Sequence, residues 1–173
     1  MSFTKTNLSD QYFIFRVGVA DFAVSAVATR VVSDLVPIVG VPHSSAALRG
    51  LCHHRNEFLP VLSLPALLGE SLSDADACLL LVMESADGSW GIPISRALAL
   101  ETLELASIGE SSVDAPPSVV MGTASFRDKV VRVLNADRLY QAAADSLGVL
   151  WTSRDRQSLP QKHPATLIPQ TSC

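Results

Sequence analysis

Apolar and polar positions alternate along the chain in short runs broken by Gly, Asn or Asp, the pattern of half-buried strands joined in hairpins. Residues 12–17 and 21–24 predict a first hairpin turning near Gly18, with aromatic and β-branched side chains on its arms. Behind Ser25, the residues Ala26, Val27, Arg30 and Val31 recur at roughly helical spacing, which predicts a short capped helix over 25–32. Residues 34–41 read as extended, and Pro37 and Pro42 bracket them and keep them out of a central strand. Residues 44–48 amount to one helical turn at most. A second hairpin takes 49–54 and 58–63 around Arg55, Asn56 and Glu57, where asparagine tolerates positive φ.

The second half repeats this plan. Residues 78–84 and 89–94 flank Asp87-Gly88, a strong hairpin signal. Residues 95–104 fit either a turn of helix or a strand, and 107–117, with Ser, Gly, Asp and two prolines, read as a loop. Residues 119–125 and 129–134 form the last hairpin. Asn135 then caps a helix that places Leu139, Tyr140, Ala143 and Leu147 on one face. Residues 1–10 are polar and predict a flexible N-terminus. After Gly148 the composition turns to Arg, Gln, Ser, Thr and Pro, so 148–173 predicts a disordered tail, with Trp151 among its few apolar residues.

The two halves are copies. Residues 50–64 align without a gap on 122–136, setting Gly50 on Gly122, Arg55 on Arg127, Asn56 on Asp128 and Ser63 on Asn135. Residues 12–24 correspond in the same way to 78–83 followed by 88–94. Each half is hairpin, irregular middle, hairpin, short helix, and neither is long enough for a sandwich of its own. The expected architecture is mainly β: two small barrels of five strands with short helices, each barrel burying a face against the other. Their expected extents are about 11–70 and 76–147, with interleaving of the two left open.

Composition narrows the function more than the fold. The 173 residues carry 13 basic and 17 acidic side chains, a net charge of −4, and no Lys/Arg run tracks a phosphate backbone, so nucleic acid is not the expected partner. The apolar stretches fall well short of the roughly 20 residues that cross a bilayer, and the polar N-terminus has no signal-peptide core. A cytoplasmic protein without direct membrane insertion is expected. Cys52, Cys78 and Cys173 stand at unrelated spacings, which predicts reduced, buried thiols and a free one in the tail. Cys52-His53-His54 invites a metal reading, but strand alternation sends Cys52 and His54 to one face and His53 and Arg55 to the other, so neither a metal nor another cofactor is expected. No Gly-x-Ser-x-Gly elbow accompanies the histidines, and the carboxylates fall in turns and loops. No enzyme is expected.

The residues around the second hairpin also carry a resemblance. The segment 48–69 resembles the CheW-like family, whose members carry a Gly-x-x-Asn-Leu-Arg-Gly-x-x-x-Pro-x-x-Asp-Leu pattern there, and the likeness extends over about 11–147. It implies two five-stranded SH3-like barrels related by a pseudo-twofold axis, in agreement with the repeat. It also implies a cytoplasmic adaptor, sited at receptor arrays, that couples the signalling tips of methyl-accepting chemoreceptors to a CheA-type histidine kinase and can enter ring or array assemblies. Gly50, Arg55 and Pro60 match the motif glycine, arginine and proline. The chain departs from the pattern at His53-His54, Asn56 and Ser63, and at Val31, where a glutamate is common. A divergent member is therefore expected.

Protein-binding residues are expected at Arg55 and Asn56, in an exposed turn, and at Val27, Val31 and Val32, which with Val24 form an apolar surface for a receptor helix or, on the alternative reading, belong to the core. Gly50 and Pro60 are expected to be structural. The competing function is a stand-alone regulatory module that binds a small ligand or another signalling protein, which would need an enclosed pocket rather than exposed apolar patches.

Overall fold

The computed structural model describes residues 10–107 and 118–155, and side chains of the last helix as far as residue 146. Expectations placed on 1–9, 108–117, 156–173 and the side chains of Leu147 and Trp151 lie outside the described residues. The strands are β1 (Gln11–Val17), β2 (Ala20–Ser25), β3 (Thr29–Asp34), β4 (Ile38–Val39), β5 (Leu48–His54) and β6 (Glu57–Leu62), followed by helix α1 (Leu64–Leu68). The second half supplies β7 (Leu79–Ser85), β8 (Gly88–Ile94), β9 (Arg96–Thr102), β10 (Ala106–Ser107), β11 (Val120–Phe126), β12 (Lys129–Leu134) and helix α2 (Ala136–Asp155).

Two sheets result. One runs β10-β11-β12-β2-β1-β9 and the other β3-β7-β8-β6-β5-β4, each with five longer strands and a two-residue edge strand. The opening hairpins are exchanged between the repeats. β1–β2 lies in the sheet of β9–β12, and β7–β8 lies in the sheet of β3–β6. Parallel junctions between equivalent strands make the exchange, β12 to β2 with Val133 opposite Ala23 in one sheet and β6 to β8 with Val61 opposite Gly91 in the other. The aligned hairpins also share a defect: β5–β6 skips a residue between Leu48 and Gly50, and β11–β12 between Val120 and Gly122.

Each sheet encloses a small core of its own, Ile14, Ala23, Val131 and Val133 in the first and Cys52, Leu59, Leu80 and Val82 in the second. The larger core lies between them, where Phe15, Phe22, Leu81, Met83, Trp90 and Leu139 meet. Repeat-equivalent caps fix both helices. The Ser63 hydroxyl accepts from the Ala66 amide at 3.5 Å, and Gly69 in the left-handed region closes α1. The Asn135 Oδ1 accepts from the Arg138 amide at 3.0 Å.

Two elements differ from the sequence expectation, and a third, left open there, is decided. Residues 25–32 are a single 3-10 turn over Ala26–Ala28, without a side-chain cap from Ser25, followed by β3. The free edge of β7 pairs with Thr29, Val31 and Val32, whose branched side chains suit a strand better than a helix. Residues 96–102, open between helix and strand, become β9 because β1 offers them an edge. Helix α2 continues to Asp155, past Gly148 where the tail was expected to begin. Cys78 also departs from expectation, being exposed while Cys52 is buried.

An ion pair ties the halves together. Arg132 of β12 grips both carboxylate oxygens of Glu70, just beyond α1, with one bond at 2.9 Å, and lies over the Phe22 ring at 4.5 Å. The Arg132 hydrogen bond holds the Glu70 carboxyl below its ordinary value of 4.5. A carboxylate with a lowered folded-state pKa stabilises the fold above its unfolded pKa and ceases to do so as pH falls through the folded value. Glu70→Gln is therefore expected to lose up to about 1 kcal/mol at pH 7. The gap from the parent should shrink below pH 4.5 and close in stronger acid, as urea midpoints measured across that range will report.

Candidate protein-binding surfaces

The β5–β6 turn comprises two residues, Arg55 and Asn56, rather than the expected three. Both lie in the left-handed region, with φ of 46° and 70°, the backbone of a type I′ turn that ordinarily selects Asn-Gly. An arginine here is strained, and its repeat mate Arg127 repeats the feature with φ of 49°. Arg55 and Asn56 are exposed, and Arg55 forms no ion pair among the described residues. Behind the turn, Gly50 has φ of 148° in a position where a Cβ would stand 2.2 Å from the Val39 carbonyl oxygen. Pro60, opposite Leu51 on β6, is half-buried.

Beside this turn lies an apolar face not foreseen from the sequence. Val39 pairs with Leu51, and His53 with Phe58, whose rings are 5.1 Å apart. Val39 is 71% exposed, Leu51 39% and Phe58 75%. Its signal was present in β6, where Phe58 and Pro60 alternate with the buried Leu59 and Val61. With apolar residues at consecutive positions, however, both faces read as core.

The valines separate. Val24 is buried in the core between the sheets, which removes it from the candidate surface, and Val31 and Val32 are half-buried against two different cores. Val27 is exposed and lines a groove between the sheets with Tyr12, Met121, Leu134 and, at the rim, Glu84 and Asp137. Of the predicted binding residues, Arg55 and Asn56 therefore form the turn and Val27 lines the inter-sheet groove, whereas Val31 and Val32 pack against cores away from both.

Cys52 faces the core, and burial pushes its thiol pKa up, away from nucleophilic use. Among the described residues no three His, Cys, Asp or Glu side chains converge as metal ligands, and no helix is long and apolar enough to cross a membrane.

A model of the CheW-like domain matches residues 11–144. The chain belongs to the CheW-like family. A Rhizobium etli protein described as a probable chemotaxis protein CheW is 33% identical over 72 residues, 41% of this chain. That match spans 46% of the relative's length. The crystal structure of the scaffolding protein TtCheW from Thermoanaerobacter tengcongensis aligns with a TM-score of 0.61 at 17% identity, over 81% of this chain and 93% of that one. This likeness shows the fold: a mainly β, SH3-like CheW architecture. In this CheW-like chain Arg55, which matches the arginine of the family pattern, holds the first position of the strained turn, and Gly50, which matches its glycine, leaves no room for a side chain beside β4.

Proposed function

We infer that this protein is a non-catalytic cytoplasmic adaptor that couples the signalling tips of methyl-accepting chemoreceptors to a CheA-type histidine kinase at receptor arrays. One observation carries the reading: a single packed body carries two unlike candidate surfaces for protein contact. The first is the Arg55–Asn56 turn with the apolar face of Val39, Leu51 and Phe58; the second is the inter-sheet groove containing Val27. Large apolar side chains exposed together are characteristic of protein contacts. The family's named chemotaxis and scaffolding members support the assignment.

Co-sedimentation of the full chain with receptor signalling fragments and a CheA-type kinase from the same organism tests it. Binding to both supports coupling; binding to neither removes it. Arg55→Asp is expected to weaken partner binding about tenfold or more by placing a repulsive charge in the contact. Its melting temperature should stay near that of the parent, because the side chain is exposed. A melting temperature raised by a small ligand, with neither protein partner bound, would instead favour a stand-alone regulatory module.

A further inference from the structure

The Arg55 turn is held from outside its own hairpin. β3 pairs with β7 through Thr29 opposite Met83 and resumes with Val31 opposite Val82, so Arg30 is the extra residue of a β-bulge. A bulge releases a side chain from strand alternation and re-aims it. The Arg30 guanidinium reaches Glu57, the first residue of β6, donating to its two carboxylate oxygens at 2.9 and 3.3 Å. It also donates to the Ser89 hydroxyl on β8 at 2.7 Å, and its Nε stands 3.8 Å from Glu84 on β7. Ser89 in turn donates to Glu84 at 3.3 Å. One side chain therefore joins β3, β6, β7 and β8 at the end of the sheet that carries the turn.

Two consequences follow from this placement. Glu57 pairs with His54 across the turn, so fixing its carboxylate fixes one leg of the strained Arg55–Asn56 loop. The Arg30 hydrogen bond also holds the Glu57 carboxyl in its charged form, below the ordinary range, and occupies both of its oxygens. Glu57 is the acid nearest Arg55 in the sequence. With that acid engaged elsewhere, the Arg55 charge is left for a partner. Glu84 belongs to the rim of the inter-sheet groove, so the same network links the two candidate surfaces.

We propose that Arg30 is a positioning residue: by gripping Glu57 from the β3 bulge it sets the Arg55–Asn56 turn and keeps Arg55 free for the partner. The proposal rests on the reading of Arg55 as a partner contact. Four variants of the full chain test it: Arg30→Ala, Arg30→Lys, the reversed pair Arg30→Glu with Glu57→Arg, and Arg55→Asp. Amide hydrogen exchange across 54–57 in the free protein reports the turn without any partner, and titrated co-sedimentation with receptor fragment and kinase reports binding.

Arg30→Ala is expected to speed exchange at the turn and weaken binding about threefold, with the urea midpoint little changed, in keeping with an exposed ion pair. Lysine, which has no planar fork, should recover only part of both effects. The reversed pair should return both to within about twofold of the parent. Unchanged exchange in Arg30→Ala overturns the proposal. So does a reversed pair that restores the turn but not binding, since Arg30 would then touch the partner itself. If Arg55→Asp loses binding while Arg30→Ala keeps it, the proposal alone fails. Full binding by Arg55→Asp removes the reading of Arg55 and the proposal with it.

Discussion

Gly50→Ala is expected to destabilise the protein by about 3 to 5 kcal/mol, the sum of a disallowed backbone conformation and an overpacked contact. At φ of 148° an L side chain is strained whatever space surrounds it. Here there is no space, because the new Cβ would meet the Val39 carbonyl oxygen at 2.2 Å and its carbon at 2.7 Å. Backbone cannot rotate out of the way as a side chain can. Relief requires β4 to lift off β5, which breaks the pairing of Ile38 with Cys52 and of Val39 with Leu51. The apolar face would be lost with it. Gly69→Ala is the control: Gly69 also has positive φ, 66°, but nothing lies within 4 Å of its added Cβ, so the cost should be about 1 kcal/mol. Urea midpoints of the two variants decide the matter. Equal midpoints would mean that β4 does not press on Gly50.

Trp90→Ala is expected to cost about 3 to 5 kcal/mol, the usual range for emptying a large aromatic site in a packed core. Trp90 is 1% exposed and sits in the core shared by the two sheets, with Tyr140 of α2 at 6.0 Å between ring centroids. Among the described residues its indole Nε1 has no hydrogen-bond partner. Trp90→Phe therefore deletes a buried, unsatisfied donor together with some volume, and it should cost less than half as much as the alanine variant. Denaturant titration followed by circular dichroism will compare them. Because residues of both sheets line this core, each variant should still unfold in one transition. Separate transitions for Trp90→Ala would show that the sheets stand independently.

The hairpins and the repeat were legible because each depends on residues close together in the chain. Asp87-Gly88 and Arg55-Asn56-Glu57 announced their turns to within a residue, the tips being Ala86-Asp87 and Arg55-Asn56, and β5–β6 and β11–β12 share even the position of their bulge. The Asn135 cap was legible for the same reason, its acceptor lying three residues from the amide it meets. The candidate surface was less so. Arg55 and Asn56 were found from the turn and the family pattern, whereas Val24 went to the core and Phe58, with Leu51 and Val39, supplied the exposed apolar face. Arg30 drew notice only for helical spacing, because a bulge arises from the pairing of β3 with β7, two strands far apart in sequence.

By itself the sequence determined a mainly β chain of two homologous halves, with its hairpin turns, the Asn135 cap and a partial family motif, since local backbone preference and short-range alternation decide those features. Only the tertiary structure decided that the opening hairpins are exchanged between the sheets, that residues 29–34 become a strand, and that one side of β5–β6 remains exposed. An unpaired strand edge takes whichever partner folding brings to it, and an apolar face is buried only if another element covers it. Neither fact is contained in the neighbours of a residue along the chain.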